Sequence, residues 1–167
     1  PKEDEILGLK CYEEVAQVPD SVDLAVVVLP APAIPKILED CGKRGIRAVT
    51  IISGGFKEVG EEGSRLEKTI LEIAGRYNMR LVGPNCVGTL DLYTGLNTTF
   101  IQGVPDKGGI GFVSQSGAVA GGVVDFIRNR HVGFSNFSSL CNEADVTETD
   151  VTEYLSTEPH TRVIAAY

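Results

Sequence analysis

The chain has 167 residues, 43% of them hydrophobic, which is enough for one ordinary domain or two small ones with a real core. Fifteen Lys and Arg against 23 Asp and Glu leave a net charge of −8, and no basic run exceeds Lys43–Arg44, so nucleic acid is excluded as a partner. No apolar run reaches membrane-spanning length and residues 1–5 do not form a signal peptide, so no membrane partner is expected. The four cysteines, Cys11, Cys41, Cys86 and Cys141, show neither C-x-x-C nor Cys/His spacing. That pattern argues against structural zinc and a disulfide scaffold, and points to a reduced cytoplasmic compartment.

Both ends read as cut. No strand is expected at the start, and Val163–Tyr167 reads as a final strand with nothing after it. A fragment of a longer protein is therefore the expectation.

Residues 24–29 (LAVVVL) form a continuous apolar run, as expected for a parallel strand covered on both faces. After Pro30–Ala31–Pro32, a helical stripe of Ile34, Ile37, Leu38 and Cys41 follows, with Gly42 and Gly45 as its stop. Residues 48–53 predict the next strand, closed by Gly54–Gly55. Leu66, Ile70, Ile73, Ala74 and Tyr77 mark a second helix, and residues 80–82 a third strand. This strand–helix alternation implies a parallel sheet with right-handed crossovers.

Residues 89–109 carry no long periodic run and read as a linker or irregular crossing segment. The alternation then restarts. Residues 110–114 predict a strand, and Val119, Val123, Phe126 and Ile127 the face of a helix. Residues 134–140 form the next strand. Thr147–Asp150 resembles a capping box, opening a helix with Val151, Tyr154 and Leu155 inward, before a last strand at 162–167.

In open parallel sheets, ligands collect beyond the carboxyl ends of the strands. The ends here are Leu29–Pro32, Ile52–Gly55 and Gly83–Cys86. Glycines let a ligand approach the backbone and prolines fix loop shape, although ordinary turn chemistry accounts for each bend taken alone. The bend Ser114–Gln115–Ser116–Gly117 lacks the G-x-S-x-G spacing of a nucleophile elbow around either serine. Two readings stay open: an anion site at a helix start, with the N–H groups of Gly117 and Ala118 pointing outward, or a bare serine N-cap. Gly121 and Gly122 each lower helix propensity by about 1 kcal/mol, a loss easier to understand if something packs closely against those turns. His131 and His160 read as exposed structural residues, Cys86 as a small buried residue lacking a paired histidine, and Lys57–Glu58 with Glu61–Glu62 as a solvated helix approach.

Taken together, Gly83–Pro84–Asn85–Cys86–Val87–Gly88 followed by Gly111–Phe112–Val113–Ser114–Gln115–Ser116–Gly117 closely resembles the NDP-forming acyl-CoA synthetases. Residues 51–58 (IISGGFKE) and 139–146 (SLCNEADV) resemble the ADP-forming branch, so the likeness runs through the whole chain in order. It implies an α/β fold: a parallel-sheet Rossmann-like CoA-binding section over 1–91, a linker at 92–109, and a flavodoxin-like section over 110–167, both sections incomplete. It also implies that Leu29, Pro30, Ala31, Pro32, Ile52, Ser53 and Gly54 line the CoA, with Asn85 and Cys86 near its thiol end. Ser114, Gln115, Ser116 and Gly117 match the helix start that holds phosphate.

The family reaction converts acyl-CoA, ADP and phosphate into acid, CoA and ATP through a phosphorylated histidine. By this resemblance that histidine lies roughly 80 to 100 residues beyond Tyr167, and His131 does not match it. The family's glycine-rich CoA loop would precede Pro1. Cys141 stands where a glycine is usual, and Gly121 where succinyl-CoA synthetase has a substrate-contacting tyrosine, which argues against succinate. No metal site is expected in the chain itself; ADP or ATP with Mg would be held by an ATP-grasp-type β subunit or fused domain, in an oligomer. The isolated chain is expected to be inactive. A non-catalytic module sensing CoA or acyl-CoA, fused to a lysine acetyltransferase, is the alternative. A nicotinamide-dependent oxidoreductase lacks the G-x-G-x-x-G fingerprint.

Overall fold

The computed structural model describes residues 3–127, 130 and 132–167. A short antiparallel hairpin, β1 (Glu5–Ile6) with β2 (Leu9–Lys10), turns at Leu7–Gly8 where both residues take positive φ. Two residues per strand leave no periodicity to read, so no strand was expected there.

The first section runs β3 (Leu24–Val27), α1 (Ile34–Arg44), β4 (Ala48–Ile51), α2 (Glu61–Tyr77) and β5 (Arg80–Val82). Its three strands pair in parallel in the order β3-β4-β5. Ile34, Leu38 and Cys41 from α1 and Ile70, Ile73 and Ala74 from α2 close over Val27, Val49, Ile51 and Leu81. Each Leu or Ile so buried contributes about 1.5–3 kcal/mol. Gly42 does not stop α1: it lies inside the helix against the Tyr77 ring, where a Cβ would come within 2.3 Å of the ring carbon. Close helix packing, not a turn, selects glycine there. The helix ends at Gly45, whose φ of 85° supplies the left-handed cap.

The second section contains β6 (Gly88–Asp91), β7 (Leu96–Asn97), β8 (Lys107–Ser114), α3 (Gly117–Ile127), β9 (Phe134–Ser139), α4 (Glu148–Thr157) and β10 (Val163–Ala166). Its sheet has the order β10-β8-β9-β6-β7, with β10, β8 and β9 parallel and β6 and β7 antiparallel. Part of the stretch read as a linker or irregular crossing, residues 89–91, 96–97 and 107–109, is therefore ordered pairing, while the rest is turn and irregular chain. Leu90 and Leu92 are buried and alternate with Thr89 and Asp91, a period-2 signal too short to stand out. Asp91 Oδ1 accepts from the N–H groups of Tyr93 (2.9 Å) and Thr94 (3.1 Å) and so closes the turn into β7.

A bulge at Ser135 lets Phe134 and Phe137 share one face of β9, where they meet Phe112 with centroids 5.6–6.2 Å apart. Against them α3 packs Ala120, Val124 and Ile127, whereas Phe126 is 62% exposed. The helical face is thus rotated from the one read in the sequence, because GAVAGGVVDFI is apolar almost all round and its periodicity selects no side. In α4, Leu155 points inward and Tyr154 outward, beneath the capping box that the sequence predicts. Thr147 Oγ1 accepts from the Asp150 N–H at 3.3 Å, and Asp150 Oδ2 accepts from the Thr147 N–H at 2.8 Å. Asp150 Oδ2 also accepts from the Thr147 hydroxyl at 2.6 Å; that bond foremost, then the one from the Thr147 N–H, pulls the Asp150 carboxyl down to about 2.

Candidate functional site

Three loops converge at the carboxyl end of the first sheet. The turn after β3 and the loop after β4 face the first turns of α2 across a cleft of about 680 Å3. Ala31, Pro32, Gly54 and Gly55 line one side; Arg65 and Thr69 of α2 lie on the other. Gly55 has a φ of 107°, and a Cβ on it would lie 2.9 Å from that of Ala31, so only glycine keeps the cleft open here. Asn85, on the third loop, takes a φ of 62° and lies beside Gly54, where an added Cβ would be 2.9 Å from its Oδ1. Its N–H donates to the Ser53 carbonyl at 2.9 Å, tying the second loop to the third.

Not every residue expected along the CoA lines this cleft. Ile52 and Ser53 lie half-buried at its back, and Leu29 lines a separate apolar groove with Val15, Val18 and Val22. Cys86 is only 2% exposed; its Sγ donates to the Ile51 carbonyl at 3.3 Å, and burial pushes the thiol up to about 12. It shapes the loop and carries almost no thiolate near neutral pH.

The loop after β8 is built from serines. Ser114 is fully buried, and its hydroxyl accepts from the Ser116 N–H at 3.0 Å while donating to the Ser116 carbonyl at 3.1 Å. Ser116 caps α3, its Oγ accepting from the Val119 N–H at 3.3 Å. The N–H groups of Gly117 and Ala118 precede any intrahelical acceptor and sit at the positive end of the helix dipole. A Cβ on Gly117 would lie 3.2 Å from Val87 Cγ2 and 3.5 Å from Cys141 Sγ. The fold therefore places the G-P-N-C-V-G loop directly against the S-Q-S-G bend.

Between the two bends runs the segment after β9. Asn142 Nδ2 donates to Glu58 Oε2 at 2.7 Å and to Glu67 Oε2 at 3.0 Å, and its carbonyl accepts from Lys57 Nζ. Glu58 Oε1 in turn accepts from the N–H groups of Gly55 and Phe56. Partial burial alone would raise the Glu58 carboxyl, but these bonds outweigh it and hold the group below its usual range.

Comparison with known proteins places this geometry. Residues 1–91 match the CoA binding domain, and residues 107–167 match the succinyl-CoA ligase like flavodoxin domain. The chain belongs to the NDP-forming acyl-CoA synthetase family. An ADP-forming acetate–CoA ligase of Methanocaldococcus jannaschii is 46% identical over 167 residues, which is all of this chain and 23% of that protein. The alpha subunit of ADP-forming acetate–CoA ligase II of Pyrococcus furiosus is 44% identical over 99% of this chain and 36% of its own length. Among solved structures, an acetyl-coenzyme A synthetase of Candidatus Korarchaeum cryptofilum in complex with phosphate and ADP superposes with a TM-score of 0.94 at 38% identity. That match covers 99% of this chain and 35% of the other. The chain thus spans about a quarter to a third of the relatives it matches.

Within this acyl-CoA synthetase region, sequence reasoning missed several residues. Glu61 and Glu62 are exposed, as expected of a solvated helix approach, but Lys57 and Glu58 reach across to Asn142. Arg65 and Thr69 carry no sequence signal, since the polar face of α2 reads like any other solvated face. His160 is spent on a surface contact, stacking on Tyr93 at 3.6 Å with Nδ1 2.7 Å from Glu158 Oε1. His131 lies outside the described residues.

Proposed function

We propose that this chain is the CoA- and phosphate-binding part of an ADP-forming acyl-CoA synthetase. CoA lies in the cleft between Ala31, Pro32, Gly54 and Gly55 and the first turns of α2, with Arg65 at the mouth to meet its phosphates. Its thiol end reaches Asn85, and phosphate sits on Ser116, Gly117 and Ala118. Leu29, Pro30, Ile52, Ser53 and Cys86 support the loops, and Ser114 and Gln115 shape the bend. The observation that carries this reading is the packing of Gly117 against Val87, which brings the end of the cleft and the anion-binding helix start to one place.

The residues of this chain bind and orient; they do not supply the transferring histidine. In the whole protein the reaction would convert acyl-CoA, ADP and phosphate into acid, CoA and ATP. The nucleotide, with Mg, would be held by a β subunit or fused domain, in an oligomeric cytoplasmic enzyme. The M. jannaschii and P. furiosus relatives, both acetate–CoA ligases, support the acetate class of substrate, and the P. furiosus alpha subunit supports a partner chain. Sequence boundaries at 91 and 110 are proposed for the two domains, with β6 crossing to pair with β9.

Calorimetric titration of the chain tests the reading. CoA is expected to bind with a dissociation constant between about 1 μM and 1 mM, the range typical of enzyme substrates, and NADH not at all. Binding of NADH without CoA would overturn it.

A further inference from the structure

Asn142 spends every polar group it has on the first section. Both amide hydrogens go to Glu58 and Glu67, and the amide oxygen accepts from Asn85 Nδ2 at 3.4 Å. Its carbonyl accepts from Lys57 Nζ and its N–H donates to the Pro84 carbonyl at 3.3 Å. It is 7% exposed. Glu143, the next residue, turns the other way. Its Oε2 accepts from Gln115 Nε2 of the S-Q-S-G bend, and its Oε1 from the Glu148 N–H at the start of α4, both at 2.7 Å.

Two further facts single out this dipeptide. Cys141 and Glu143, on either side of Asn142, take φ values of 48° and 47°, a conformation that non-glycine residues adopt only when their surroundings over-determine it. Moreover, Glu58 is the group that fixes Gly55, so the chain of contacts Gly55–Glu58–Asn142–Glu143–Gln115 runs unbroken from the cleft to the bend.

We propose that Asn142 and Glu143 are a positioning pair that couples the CoA cleft to the phosphate-binding bend. The inference rests on the function proposed above. A ligand that orders one loop through this pair spares its partner part of the ordering cost, so the two ligands bind with positive cooperativity, each improving the other by the same factor.

The test is calorimetric titration of CoA into the full chain, without and with saturating inorganic phosphate. Wild type is expected to bind CoA about fivefold tighter with phosphate present. In Asn142→Ala and in Glu143→Leu the enhancement falls to near one. Glu143→Leu keeps much of the side chain's bulk but offers Gln115 no acceptor. Glu143→Gln still forms a donor–acceptor pair with Gln115 whichever way its amide turns, and the enhancement is retained. A purely structural role would not separate Leu from Gln in this way, and these two variants decide the matter even if Asn142→Ala fails to fold. An enhancement absent in wild type, surviving in Glu143→Leu, or lost in Glu143→Gln overturns the coupling while leaving CoA binding intact. Wild type that binds no CoA overturns the proposed function, and the coupling with it.

Discussion

The loop after β4 and the bend after β8 share one local design, a strand that breaks into serine and glycine before a helix, yet they treat negative charge in opposite ways. In the first, the N–H groups of Gly55 and Phe56 already hold the Glu58 carboxylate, and the Lys57 N–H reaches Glu67 Oε2 at 3.4 Å. The chain fills that nest with its own anions. In the second, two serine hydroxyls close the bend on itself and leave the first N–H groups of α3 facing outward. A Ser/Gly bend is therefore not an anion site by composition. Where a carboxylate of the same chain already takes the free N–H groups, none is left for a ligand, and the second bend alone keeps donors to offer.

Substituting the glycines should break this symmetry most strongly. Gly55→Ala, with its Cβ against Ala31, is expected to cost about 2 kcal/mol through backbone strain and overlap, and to weaken CoA binding at least tenfold on the scale of a closed contact. Gly117→Ala meets a Val87 methyl at 3.2 Å, within reach of small adjustment, and should change stability by less than about 1 kcal/mol. Chemical denaturation with CoA titration measures both; equal effects at the two sites would remove the distinction.

Emptying the first nest is the next largest change. Glu58→Ala strands two backbone donors and should cost about 1–2 kcal/mol. The freed groups should then accept sulfate, so that sulfate raises the melting temperature of the variant more than that of wild type. A sulfate response identical in both proteins counts against an occupied nest.

Removing the cap of the second bend should cost less. Ser116→Ala is expected to lose about 1 kcal/mol and to weaken phosphate binding, whereas Ser53→Ala should stay within about 0.5 kcal/mol and leave phosphate affinity unchanged.

Acid should separate the bends with the smallest effect. The Glu58 carboxyl lies below its ordinary value of 4.5 in the fold, so its contribution is fully present above pH 4.5 and is lost as pH falls through the lowered value. Amide shifts of Gly55 and Phe56, which donate to the titrating carboxylate, should move in that window, while those of Gly117 and Ala118, which do not, should stay. The α4 cap follows the same sign: its contribution stands above pH 3.8 and disappears toward about 2, and Asp150→Asn should flatten that part of the acid melt.

Much of the fold was legible because the hydrophobic pattern encodes it. The stripe from Leu66 to Tyr77 and the Thr147 box sit in the elements they predict, but the run at 24–29 does so only in part: β3 ends at Val27 on the sheet edge, and Val26, Val28 and Leu29 are exposed rather than covered. Reading failed where the pattern was too short or too uniform. The hairpin of β6 and β7 offers only a few alternating residues, and α3 is apolar on nearly every side. In the candidate site, the glycines and serines stood out by residue type. Glu58, Asn142 and Glu143 did not, since a carboxylate or amide on a loop looks solvated until the fold brings its partner from 84 residues away.

The sequence by itself determined the two alternating strand–helix sections, the order of the loops at their strand ends, and the resemblance to acyl-CoA synthetases, because periodicity and turn chemistry are local properties. Only the tertiary structure decided which of two similar bends is free to take an anion, that Cys86 is a buried support, and that residues 142–143 bridge the cleft and the bend. Those outcomes depend on contacts between distant segments, whose hydrogen bonds no local pattern of residues records.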